Sequence, residues 1–170
     1  MITAFMGKLA RQAAEHYART GDYLPLPYSM PHEAMLQKAC FVSIIETLGH
    51  RLKGSHGSVL PCNAFLAQEI VANTVEAIIR NNIRMRPVDA SSYIYEVGVL
   101  GPIERITSKE HLNPSLYGLY IRSDKNKTAA ILPNRRGIDT PQEQIATAIR
   151  EAAIHSTAES VTMYRFPVTY

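Results

Sequence analysis

Tryptophan is missing from this chain, cysteine occurs only twice, and no apolar run approaches the ~18 consecutive residues of a membrane span. Each shortage closes off a class of protein. Cys40 and Cys62 form no CxxC pair, so neither a disulfide framework nor a cysteine-built zinc site is open to them, and both are expected as reduced thiols. The opening MITAFMGKLARQ lacks an apolar stretch followed by a small-residue cleavage site, which leads us to expect a soluble, cytoplasmic protein. Excess charge is scarce as well: 18 Lys and Arg against 15 Asp and Glu leave +3, scattered except at Arg80, Arg84, Arg86 and at Arg135, Arg136. A nucleic-acid binder shows a denser basic face with aromatics between. Here nine tyrosines are spread along the chain, so nucleic acid is not an expected partner.

What is present suits a packed globular protein. At 170 residues with 46% hydrophobic content, one domain over residues 1–170 is expected, with room for a sizeable core. Apolar spacing of three and four predicts a helix over Ala4–Arg19, ended by Gly21 and Asp22. Pro25, Pro27 and Pro31 exclude helix from Tyr23–Pro31, an extended segment laid across the domain. Ala39–Glu46 and Arg51–Ser58 read as a hairpin around Gly49, followed by a largely buried helix over Asn63–Asn81 with Asn63 as N-cap. Tyr93–Leu100 reads as a strand with Gly98 at a bulge or close approach, and Tyr117–Arg122 with Thr128–Leu132 as a second hairpin. Thr140, Pro141 and Glu143 spell a capping box for a helix to about Ile154. A last strand, Val161–Val168, is placed at a sheet edge by Pro167. Hairpins mixed with helices, without βαβ alternation, predict an α+β fold with a mainly antiparallel sheet and flanking helices. Phe41, Ile44, Ile70, Ile78, Val97, Ile131, Ile145 and Ile149 should be among its most buried residues.

The chain is organised around LKGSHGSVLP, Leu52–Pro61, where two glycines close a strand and open onto the longest amphipathic helix. Gly54 and Gly57 mark either a bend or a place where a ligand approaches the backbone. This is neither a Walker loop nor a dinucleotide fingerprint, since no GK[ST] follows and the third glycine is missing. Ser55 beside His56 suggests a nucleophile and base, but neighbours on a strand point to opposite faces. His50 and His56 share a strand face, yet six residues at ~3.3 Å each put them about 20 Å apart, too far for one metal. No metal site can be built from side-chain spacing, and no cofactor is expected. Lys53, Arg84 and Arg86 could gather around an anion or could form a solvated basic surface. Glu69, Glu76 and Glu96 read as solvent-exposed.

In their order along the chain, LKGSHG at Leu52–Gly57, EIVAN at Glu69–Asn73, RMRPV at Arg84–Val88, VLGPIE at Val99–Glu104, LNPSLYGLYI at Leu112–Ile121, ILP at Ile131–Pro133 and GIDTPQEQI at Gly137–Ile145 resemble the motifs of the AMME-syndrome chromosomal-region family, in its AmmeMemoRadiSam system protein A branch. The resemblance implies two unequal lobes around a cleft, with the glycine signature beside it. It also implies partnership with a Memo-like protein, similar to extradiol dioxygenases, and a radical S-adenosylmethionine enzyme. No settled reaction comes with the family. Its signature is Leu-Arg-Gly-Cys-Ile-Gly; here Lys53 replaces Arg, Ser55 replaces Cys and His56 replaces an apolar residue, which removes any thiol chemistry from that strand.

Two functions follow. The preferred one is a non-catalytic metabolite-binding or docking partner, with the ligand held by Lys53, Gly54, Gly57, Ser58, Asn73, Arg84 and Arg86. The alternative is an enzyme acting on a small anionic or conjugated substrate, with His56 as general acid-base and Ser55 beside it.

Overall fold

The structure is a computed structural model that describes residues 2–155 and 157–170. In chain order its elements are α1 (Ile2–Thr20), β1 (Cys40–Glu46), β2 (Arg51–Gly57), α2 (Leu66–Arg80), β3 (Tyr93–Leu100), β4 (Glu104–Ile106), β5 (Tyr117–Ser123), β6 (Thr128–Ile131), α3 (Pro141–Glu151) and β7 (Val161–Thr169). The strand pairings are antiparallel, so the fold is α+β as expected. The chain divides into two compact units, one ending at Val99 and taking in Tyr170, the other spanning Leu100–Thr169.

In the first unit β1 pairs with β2 on one side and β3 on the other. Alternation along β1 sends Cys40, Val42 and Ile44 to one face, where α1 and α2 pack, and leaves Phe41, Ser43 and Ile45 half-buried on the other. The apolar stripe of α1 (Met6, Leu9, Ala10, Ala13) meets that of α2 (Leu66, Ile70, Val71, Ala77, Ile78) to complete this core. Leu24, Leu26 and Met30 of the proline-rich segment pack against it from outside. A hairpin bulge falls where Ile44 pairs with Gly54 and Ile45 with Leu52, leaving Lys53 as the extra residue. The bulge is therefore at Lys53 and not at Gly98, which pairs in regular register with Phe41.

In the second unit β7 pairs with β5 and β4, and β5 pairs with β6. Leu119, Ile121, Ile131, Ala148 and Ile154 form the core under α3. Thr140 caps α3 as its sequence says: its hydroxyl accepts from Glu143 N–H at 3.2 Å, and Glu143 Oε2 accepts from Thr140 N–H at 2.9 Å.

Several expectations need correction. Helix α2 starts at Leu66, three residues after Asn63, because Asn63 donates its N–H to Glu69 and so is drawn back onto the helix from outside it. β7 is not an edge strand. Pro167 is tolerated because it stands at the last pair of the β5–β7 ladder, opposite Tyr117, where its carbonyl accepts from Gly101. Of the eight expected core residues, Ile44, Ile70, Ile78, Val97 and Ile131 are buried; Phe41, Ile145 and Ile149 are half-buried, Phe41 because its parity on β1 turns it from the helices.

Candidate functional site

Strand parity decides what the glycine signature presents. Gly54 and His56 face α2, whereas Ser55 faces the opposite side, where its hydroxyl meets that of Ser43 at 3.3 Å across the β1–β2 pair. Ser55 and His56 are thus separated by the strand itself. Neither glycine has positive φ. A Cβ on Gly54 would stand 2.7 Å from the Asn81 side-chain amide, and one on Gly57 would strike the Cys40 carbonyl and the Phe41 ring. Space over both glycines is therefore filled by the protein's own groups.

His56 Nδ1 lies 3.0 Å from Asn73 Oδ1, on the third turn of α2. Asn73 is buried, and its Nδ2 donates to the Cys40 carbonyl at 3.1 Å and to Glu69 Oε2 at 3.4 Å, with Cys40 Sγ at 3.6 Å. Glu69, one helical turn earlier and 1% exposed, accepts at Oε1 from Asn63 N–H at 2.5 Å, from Asn63 Nδ2 at 3.1 Å and from Cys62 N–H. A carboxylate placed in an apolar stripe needs this many donors to offset lost hydration. Its expected solvent exposure is corrected accordingly. Glu69 also serves the helix: it is an acidic group in the first turn, where it gathers the free N–H groups of the incoming loop. Burial pushes the Cys40 thiol up to about 12, a rise the Asn73 hydrogen bond only partly offsets, so Cys40 is a neutral partner in this cluster.

Toward solvent, the same helix carries Glu76, which Arg80 grips at 2.7 Å and Tyr23 Oη approaches at 3.5 Å. The Arg80 hydrogen bond holds Glu76 below the usual carboxylate range, and His56 pushes the same way. Glu76 and the half-buried His56 thus share the exposed end of a polar line that begins at Glu69.

The remaining expected site residues are dispersed. Lys53, in the bulge, is half-buried. Ser58 donates to Leu60 O at 2.6 Å, closing the turn after β2, with the exposed Cys62 sulfur 3.5 Å away. Arg86 forms a fork with Asp89, with 3.0 Å from Nε to Oδ2 and from Nη2 to Oδ1; it opens a 3-10 turn (Pro87–Ser92) that packs on α1. Arg84 is exposed. No hydrogen bond or ion pair joins Arg84 or Arg86 to β2 among the described residues. His50 lies in the turn before β2 with φ 49°, not on the strand face it was expected to share with His56. Among the described residues no three His, Cys, Asp or Glu side chains converge as a metal site.

The AMMECR1 family profile matches residues 7–170. The chain belongs to the AMMECR1 family. A Thermotoga maritima protein is 31% identical over 95% of this chain and 93% of its own length. A Clostridium acetobutylicum protein is 32% identical over 95% of this chain but only 34% of its own length, so this chain spans about a third of that relative. Among solved structures, the uncharacterised protein PH0010 of Pyrococcus horikoshii has the same fold, with a TM-score of 0.86 at 21% identity over 98% of this chain and 88% of its own. AMMECR1 proteins are of uncharacterised function, and the site must therefore be read from its chemistry. Among the described residues no helix is long and apolar enough to cross a membrane.

Sequence reasoning named Asn73 and His56 but missed Glu69 and Cys40. The available signal was a Glu and an Asn at i and i+4 inside the apolar stripe of α2, a spacing that puts two polar groups on one buried face.

Proposed function

We propose that this AMMECR1-family chain is a non-catalytic, small-molecule-binding protein that works as a docking partner of a Memo-like protein and a radical S-adenosylmethionine enzyme, with the β2–α2 face of its first unit as the ligand surface. The observation that carries the reading is the His56–Asn73 bond at 3.0 Å beside a Ser55 turned to the other face. The imidazole is held in one orientation, as recognition requires, but among the described residues no nucleophile is hydrogen-bonded to it. Lys53 in the adjoining bulge supplies positive charge for an anionic group. The family resemblance supplies the partners.

Titration calorimetry with S-adenosylmethionine, small carboxylates and phosphates, together with co-purification against a co-expressed Memo-like protein, tests this. At least one compound should bind saturably, and His56→Ala should weaken it by about tenfold, the worth of one good hydrogen bond. If no compound binds and the Memo-like protein does not co-purify, the reading fails. A second reading, an enzyme with His56 as general acid-base on a small anionic or conjugated substrate, is favoured by the second ring nitrogen, Nε2, which has no partner among the described residues and is not sealed from solvent. Turnover of a bound compound that His56→Ala abolishes would select it.

A further inference from the structure

The hydrogen bonds behind His56 determine more than its position. The Cys40 carbonyl can only accept, and the Glu69 oxygen that faces Asn73 belongs to a carboxyl group whose other oxygen already takes three N–H donors. Both must therefore meet the NH₂ of Asn73. A flipped amide would set its oxygen 3.1 Å from one acceptor and 3.4 Å from another, deep in the unit. With the NH₂ committed, the amide oxygen is what His56 sees, and an oxygen can only accept. The proton of a neutral His56 is consequently on Nδ1, and the lone pair is on Nε2.

Resting on the reading of the β2–α2 face as a binding surface, we propose that Glu69 and Asn73 are positioning residues that lock His56 as the Nδ1–H tautomer, and that the ligand of this site is one that offers an N–H or O–H donor to Nε2. A relay that begins at backbone N–H groups of Cys62 and Asn63 ends in one outward-facing acceptor. Among the described residues the chain from Glu69 reaches outward through His56, since Cys40, the remaining member, is a buried, protonated thiol.

The test is a long-range ¹H–¹⁵N spectrum of protein labelled at histidine nitrogens, on which the two tautomers give distinct patterns. Wild-type His56 should show a protonated Nδ1 and an unprotonated Nε2 at alkaline pH. Asn73→Leu should convert it to a rapidly exchanging mixture, and Glu69→Gln should do so in part, because an amide can turn either group toward Asn73. Should Asn73→Leu fail to fold, the wild-type and Glu69→Gln spectra still decide. An Nε2–H tautomer in wild type, or a tautomer unmoved by both substitutions, overturns the proposal. For ligand class, acetamide should shift the Nε2 resonance saturably while N,N-dimethylacetamide, which lacks an N–H, should not; equal response to the two overturns it. The tautomer is read without any physiological ligand, so a failed compound screen would remove the binding reading and leave this measurement standing, and the reverse.

Discussion

Each of the two units contains a buried glutamate and an aromatic ring lying over a cross-strand glycine, and the two glutamates are handled in different ways. In the second unit Glu159 is met by a cation, Lys127 Nζ at 2.7 Å, which also donates to Ala153 O at 2.8 Å and so ties the β5–β6 turn to the end of α3. In the first unit no cation pairs with Glu69 among the described residues. It is satisfied by backbone and amide N–H groups, and through Asn73 it acts on a histidine at the surface. The counter-charge meets one oxygen of Glu159 and leaves the other buried without a partner among the described residues, so nothing is passed on. An amide passes the constraint on, because fixing one end of it orients the other.

The largest effect expected from this contrast is that of Glu69→Ala. It strands the Cys62 N–H and the Asn63 donors and frees the Asn73 amide, and should cost about 3 kcal/mol of stability by urea denaturation. A cost below about 1 kcal/mol would mean that water replaces the carboxylate at no loss and that the relay is not rigid.

The aromatic-over-glycine pairs come next. Phe41 covers Gly57 and Phe166 covers Gly118, each directly opposite its glycine. Gly118→Ala should destabilise by about 2–3 kcal/mol, since Phe166 is fully buried and cannot move aside; Gly57→Ala should cost about 1–2 kcal/mol, since Phe41 is only half-buried. Thermal unfolding of the two variants checks the order, and the reverse order would show that the Cys40 carbonyl against Gly57 is the harder obstacle.

Glu159 predicts an acid-sensitive second unit. Its hydrogen bond to Lys127 lowers its pKa from an ordinary 4.5 to about 2. A depressed folded-state value means that the stabilisation is complete above 4.5 and is lost as pH falls from there toward 2. Lys127→Met should flatten this acid limb in a pH series of urea midpoints, while Glu69→Gln should not abolish it.

The smallest effect at neutral pH concerns the thiols. At mildly alkaline pH iodoacetamide should label the exposed Cys62 and spare Cys40, whose pKa near 12 keeps it protonated; denaturant should make the two equal. Labelling of native Cys40 would show that the cluster around Asn73 opens readily. Above an ordinary 9 and toward 12 the unfolded chain ionises Cys40 while the folded chain does not, so stability should decline over that interval.

Local rules accounted for most elements in the chain. The Thr140–Glu143 capping box, the apolar spacing of α1 and α2 and the polar turn between β5 and β6 depend on residues within a few positions of one another, and each is present in the fold, with only the start of α2 displaced. Strand β4 is not legible in the sequence because three residues carry no period; its pairing with β7 defines it. The start of α2 shifts to Leu66 for the same kind of reason: Asn63 has the chemistry of a cap, but its N–H and its side-chain Nδ2 both go to Glu69, and Phe65 stands at the N-cap.

The sequence by itself determined the α+β class, the family, the opposition of Ser55 to His56 and the absence of thiol chemistry from that strand, because alternation along a strand and the identity of a side chain need no tertiary information. The tertiary structure alone decided that Lys53 is the bulge residue, that Phe41 and Asn81 occupy the space over the two glycines, that Arg86 belongs to Asp89, and that Glu69 is buried behind Asn73. Those facts depend on which groups from distant parts of the chain meet. Asn73 touches Cys40, 33 residues before it, and His56, 17 residues before it, and only packing α2 on β1 and β2 gives its amide two partners that force a third.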